Sequence, residues 1–257
     1  YLFYKLTNRL RYFIELSYNG KNFHGWQYQP NAISVQQTIE DSLEILLKQR
    51  IKILGAGRTD TGVHAKQMYA HFDFEDTLNL ENLIYKLNAF LNKDIGIVNI
   101  HKVKPDSHAR FDAISREYQY YITQKKDVYN YDKKYFFSKK LDFDKIDEAI
   151  NILKKTKNFK SFCRTKSDVT NYNCDIYNFH YEIKDSEIIF RIRANRFLRN
   201  MVRSLIGTIL DVSQDKILIK NLPEIIKKSN RIYAGPSVPA HALFLSNVEY
   251  PKTIFIK

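Results

Sequence analysis

The chain has 257 residues, enough for one large domain or two small ones, and 44% of them are hydrophobic, which excludes a disordered chain. Its formal net charge is +13, a surface that attracts polyanions through counterion release. No apolar run approaches the roughly 18 residues that a membrane span needs, and no signal-peptide core stands near the start. The chain opens on Tyr1 and not on Met, as expected of a chain that begins inside its gene product. Cys163 and Cys174 have neither the CxxC nor a zinc spacing, so they read as reduced thiols of a cytoplasmic protein.

In chain order, Ile14, Leu16 and Tyr18 alternate with polar neighbours and predict a strand over 10–18. A loop from Asn19 to Ile33 follows. Ser34 with Gln37 has the spacing of a capping box, and Val35, Ile39, Leu43, Leu46 and Leu47 predict a helix over 35–49. Strands are expected over 50–54 and 66–74, a helix over 80–91, and a strand over 95–103. The order β-α-β-β-α-β is ferredoxin-like.

The second half repeats that order by pattern alone. Residues 114–123 predict a strand, and Phe143, Ile146, Ile150 and Leu153 a helix. Residues 175–183 and 187–194 predict a hairpin across Lys184, Asp185 and Ser186. Phe197, Met201, Leu205 and Ile209 mark a long helix, 221–229 a short one, and 242–249 a closing strand. The boundary is expected near Lys104 to Ser107, which gives domains of 1–105 and 106–257. Gln124 to Lys140 reads as a polar, Tyr-rich loop.

The chemistry concentrates in Gly55-Ala56-Gly57-Arg58-Thr59-Asp60-Thr61-Gly62-Val63-His64-Ala65. Its glycines let the backbone turn tightly, and the loop presents Arg58 and Asp60 at a strand end. A carboxylate held ionised by a nearby Arg can act as nucleophile or base. Gly55-x-Gly57 opens like a dinucleotide fingerprint, but the third Gly is absent and a strand follows where a helix should. Asp60-Thr61-Gly62 matches the triplet of aspartic peptidases, which need two carboxylates sharing a proton. One such triplet is present, and Arg58 disfavours sharing.

Arg196, Arg199 and Arg203 follow helical spacing and are expected on one helix face. Arg191 and Arg193 precede them on one strand face, and no acid occurs from Ile188 to Leu210. The stretch reads as a phosphate track. Tyr118 and Tyr120 share a strand face. His24, His64 and His71 lack metal spacing, so no metal is expected. Trp26, the single Trp, is expected in the core.

The loop resembles the catalytic motif of the tRNA pseudouridine synthase A family, close to GAGRTDAGVHA, with Thr61 in place of Ala. Tyr18-Asn19-Gly20-Lys21-Asn22-Phe23-His24-Gly25-Trp26-Gln27 resembles the family's first motif. His108-Ala109-Arg110-Phe111 with Ser115-Arg116-Glu117-Tyr118-Gln119-Tyr120 resembles the second. Phe197-Leu198-Arg199-Asn200-Met201-Val202-Arg203 with Gly207 resembles the helix motif. Ala234-Gly235, Pro239-Ala240, Leu243 and Tyr250-Pro251 resemble the closing one. One departure is His241-Ala242, where many members carry a Gly before the Leu, at the pocket wall.

The resemblance implies an α+β pseudouridine synthase fold: two ferredoxin-like, RRM-like halves sharing a mixed, mostly antiparallel sheet with a central cleft. It implies an isomerase that converts uridines 38, 39 and 40 of the tRNA anticodon stem-loop to pseudouridine, with no cofactor. It implies Asp60 as nucleophile and Arg203 as its ion partner. Tyr118, Arg58 and Leu243 would bind the substrate base, and Arg191, Arg193, Arg196 and Arg199 the RNA. The partners implied are tRNA and a second copy in a homodimer, with no membrane. The alternatives are a non-catalytic ferredoxin-like RNA-binding module and, more remotely, an aspartic peptidase.

Overall fold

A computed structural model describes residues 9–165 and 169–256, which contain nine strands and five α-helices. They form two compact units. One holds the described residues up to Ile114 and from Val248 onward; the other runs from Ser115 to Asn247. No helix among the described residues is long and apolar enough to cross a membrane.

In the first unit the order is β1 (Leu10–Tyr18), α1 (Val35–Leu47), β2 (Leu54–Gly55), β3 (His64–Phe74), α2 (Leu80–Phe90) and β4 (Ile95–Val103). This is the expected β-α-β-β-α-β order. Strand β1 lies between β4 and β3, antiparallel to both, and β2 pairs antiparallel with β3. Alternation sends Tyr12, Ile14 and Leu16 to one face, all essentially buried, beside Phe72, Ala70 and Met68 of β3. Each helix begins on a side-chain cap: Ser34 Oγ accepts from the Gln37 N–H, and the Asn79 side chain from the Asn82 N–H.

The strand expected over 50–54 is shorter, only Leu54–Gly55. Ile51 and Ile53 are buried as the alternation suggests. The Ile53 N–H, however, donates to the carboxylate of Glu40 on α1 at 3.0 Å. Glu40, buried, also accepts from Gln36 at 2.9 Å and from Lys52 at 2.7 Å. A buried carboxylate needs such partners, and meeting that need takes the Ile53 amide from the ladder.

The boundary residues expected near Lys104 to Ser107 lie inside this unit. Arg11, forked onto Asp73, also donates to the Ser107 carbonyl at 2.9 Å. The C-terminal segment returns here too: Tyr250 and Phe255 pack edge-on against Phe13, and the Lys104 N–H donates to Ile254 O.

The second unit runs β5 (Ser115–Thr123), β6 (Tyr135–Phe136), α3 (Phe143–Lys155), β7 (Ile176–Lys184), β8 (Glu187–Ala194), α4 (Met201–Ser213), α5 (Leu222–Lys227) and β9 (Leu243–Glu249). The last two residues of β9 are grouped with the first unit. The strand order is β9-β5-β8-β7, with β6 parallel to the end of β5. The β7–β8 hairpin turns where expected, with Asp185 at φ 56°.

Helix α4 starts at Met201 and not near Phe197. Asn200 ahead of it is left-handed at φ 66°, so the preceding residues cannot continue the helix. The helix is buried almost all round. At Gly207 a Cβ would fall 1.7 Å from the Pro236 carbonyl oxygen. Only Gly lets 234–238 cross the helix that closely, and this crossing delivers Pro239 to Leu243 to the start of β9.

Candidate active-site loop and the basic segment

The loop from Gly55 to Val63 is braced by the last residue of β1 and by the segment that follows it. The Tyr18 and Thr59 hydroxyls share a buried hydrogen bond of 2.8 Å. The Trp26 N–H donates to Thr59 O, and the Gln36 N–H to Trp26 O, which ties the loop to the start of α1. Trp26, expected in the core, is buried. Gly25 has φ +91°, and a Cβ on it would lie 2.5 Å from the Thr59 carbonyl oxygen. That position requires Gly for both its backbone and its close approach.

The loop's other flank is equally fixed. The Val63 N–H donates to Asp60 O at 3.1 Å, and the Ala56 N–H to Tyr69 O at 2.7 Å. Buried His64 accepts from the Gly20 N–H through Nδ1 at 3.0 Å. Held this way, Thr59 is buried, Asp60 is half-buried and Arg58 is exposed. A carboxylate on a rigid backbone with part of its surface open to a ligand can attack or accept a proton without first paying to order the loop.

His71, which lacks metal spacing in the sequence, is buried and accepts from the Ala109 N–H through Nδ1 at 3.1 Å. Burial first, then the neighbouring His108, pushes its pKa down to about 4. It is a structural acceptor that sequence spacing could not reveal, because its partner lies 38 residues away.

In the second unit Tyr118 and Tyr120 share a face of β5. Tyr118 is half-buried, with the Phe197 ring edge-on at 5.1 Å. Tyr120 is buried and donates to Pro239 O at 3.0 Å. Arg203, on the first turn of α4, donates from Nε to Val238 O at 2.8 Å, and the Val238 N–H returns a bond to Arg203 O. Leu243 is buried at the start of β9. Strand β5, helix α4 and the crossing segment therefore fix Tyr118, Arg203 and Leu243 within one unit.

Two expectations about the basic segment are corrected. Arg196 and Arg199 lie before α4, so they do not share a helix face with Arg203. The segment is also not free of acids in space. Arg191 is forked onto Glu182 of the neighbouring strand β7, at 2.9 and 3.3 Å. Arg193 stands opposite Glu117 of β5 and donates to Ser115 Oγ at 2.9 Å. Sequence distance concealed these acids, which strand pairing brings alongside. Arg199 is exposed, and its carbonyl accepts from the Arg164 N–H.

The chain is similar to known proteins along most of its length. A family model described as tRNA pseudouridine synthase matches residues 16–112 and 149–251. Relatives described as tRNA pseudouridine synthase A are similar along nearly the whole chain. That of Parabacteroides distasonis is 48% identical over 246 residues, covering 95% of this chain and 98% of the relative. That of Azobacteroides pseudotrichonymphae is 47% identical over 245 residues, with 95% and 98% covered. That of Bacteroides thetaiotaomicron is 44% identical over 248 residues, with 95% and 92% covered.

Proposed function

The chain belongs to the tRNA pseudouridine synthase A family, and from that premise we propose that it acts on uridines 38, 39 and 40 of the anticodon stem-loop with Asp60 as nucleophile. Conversion of tRNA uridine to pseudouridine follows from the family itself. The readings as a bare RNA-binding module and as a peptidase therefore fall away.

The observation that carries the proposal is the bracing of Thr59 by Tyr18 and Trp26, which leaves the next residue, Asp60, half-buried on an immobilised backbone. In the isomerisation the C1′–N1 bond breaks, the uracil turns and a C5–C1′ bond forms. The C5 hydrogen leaves as a proton and N1 gains one, so the product is an isomer. The Asp60 carboxylate supplies the electron pair for a transient bond to the substrate, at C1′ as the C1′–N1 bond breaks or at C6 of the uracil, and that bond breaks again to free the carboxylate as the product forms. The role proposed for Arg203 is that of ion partner, orienting the carboxylate in the substrate complex. Chemistry on a base requires extrusion from the stack, and Tyr118 with Leu243 supplies the platform for the flipped uracil, while Arg58 contacts the substrate at the loop.

Arg193, Arg196 and Arg199, with a weaker part for Arg191, contact phosphates. A second copy of the chain completes the surface for a tRNA arm in a homodimer, and the setting is the cytoplasm. The test is release of C5 tritium from a labelled anticodon stem-loop by the wild type and by Asp60→Asn.

A further inference from the structure

The segment 124–140, expected to be a loop, builds one wall of a cavity of about 470 Å³ in the second unit. Tyr131, Tyr135 and Phe136 line it from the insertion, and His241 closes it from the segment that leads into β9. Two anchors hold the wall in place. Strand β6 pairs with the end of β5, and the Phe137 N–H donates to Thr123 O at 2.9 Å. The Lys134 ammonium bridges Asp127, at 2.9 Å, and Glu187 at the start of β8. The His241 ring meets the Lys134 carbonyl at 3.2 Å. The cavity is thus built by the fold, and its volume is in the range of sites for small organic ligands.

We propose that this cavity is a second nucleotide subsite, which takes an unpaired base of the tRNA substrate other than the reacting uridine. It rests on tRNA being the substrate. Aromatic faces with open area accept any base by stacking, and Tyr131 is 67% exposed and Phe136 48%. The charge fits a polyanion: segment 124–140 carries six lysines against Asp127 and Asp132, and Lys134 already neutralises Asp127. Lys126 is exposed on the cavity lining, placed for the phosphate attached to a stacked base. An uncharged apolar ligand would have no use for that rim. Thr123, on the lining, stands five residues beyond Tyr118 on β5, about 17 Å at the strand rise. A few nucleotides span such a gap, so one RNA can occupy both places.

The test is steady-state tritium release on full-length labelled tRNA by the wild type, Tyr131→Ala, Tyr131→Phe and Lys126→Ala, with direct filter binding of the same tRNA. Tyr131→Ala should raise KM and Kd about tenfold, within the cost of losing one base–aromatic stack, and leave kcat unchanged. Tyr131→Phe should restore the wild-type values, since it keeps the ring. Lys126→Ala should raise KM and lower the salt slope of binding by about one unit. A merely structural Tyr131 would instead lower the melting temperature and kcat together. Unchanged KM and Kd in Tyr131→Ala and in Tyr131→Ala/Phe136→Ala would overturn the subsite. Wild-type protein that binds tRNA but releases no tritium would sink the functional reading instead, and filter binding would still judge the subsite.

Discussion

The hydroxyl groups of Tyr18 and Thr59, 41 residues apart, meet in a buried hydrogen bond of 2.8 Å at the residue that precedes the proposed nucleophile. Removing one partner leaves the other buried without its bond, a loss of about 1 kcal/mol or somewhat more. Tyr18→Phe should therefore lower the unfolding free energy in urea by about that amount. It should also reduce kcat more than KM, because the loosened group carries the Asp60 loop and not the RNA-binding surface. Wild-type kcat in Tyr18→Phe would show that the bracing is not needed for catalysis.

His71 makes stability depend on acid. Its folded pKa of about 4 lies below the ordinary value of about 6.5, because burial disfavours the cation. Protonating Nδ1 would also destroy the acceptor for the Ala109 N–H. Between those two values the unfolded chain binds a proton that the folded chain excludes. The contribution of neutral His71 is thus full above about pH 6.5 and is lost as the pH falls toward 4. Melting temperatures from pH 7 to 4 should fall for the wild type. His71→Gln keeps an acceptor but cannot titrate, so its acid slope should be flatter. Parallel curves would remove His71 from the acid response.

Glu182 limits what Arg191 adds to tRNA affinity. Arg191 is forked onto that carboxylate, which partly neutralises it. Arg191→Ala should lower the slope of log Kd against log salt by less than about one unit, the effect of losing a full phosphate contact. In Glu182→Gln the slope should rise, because Arg191 is released from the pair. Filter binding at several salt concentrations measures both. An unchanged slope in Glu182→Gln would show that the pair does not restrain Arg191.

Much of the fold could be read before the structure, for physical reasons that differ by element. Strand β1 and helices α1, α2 and α3 bury one face, so their apolar residues repeat at 2 or 3.6, and Ser34 marks the start of α1. The strand expected over 50–54 is cut short: Ile51 and Ile53 alternate, but the partner of the Ile53 amide is a carboxylate on α1. Helix α4 starts later than its pattern suggests, although Phe197 and Leu198 are apolar in the right register. Asn200 breaks the helix there, and Phe197 packs against Tyr118. The site loop was legible as a dense run of unusual residues. Its supports were less so, since Tyr18, Gly25 and Trp26 reveal their task only when the chain brings them under Thr59. The acids beside Arg191 and Arg193 were hidden for the same reason.

The central claim is that Asp60 is the nucleophile of a tRNA uridine isomerisation. Asp60→Asn is nearly isosteric, and the Val63 N–H can still donate to the residue 60 carbonyl, so the loop should keep its shape. The amide lacks the negative charge needed to attack. Phosphate contacts elsewhere should preserve tRNA binding. The most direct measurement is single-turnover release of tritium from C5-labelled uridine in an anticodon stem-loop, with binding measured on the same samples. The account predicts that Asp60→Asn binds the RNA within about twofold of wild type and releases no tritium above background. Release at a rate comparable to the wild type would remove Asp60 from the mechanism.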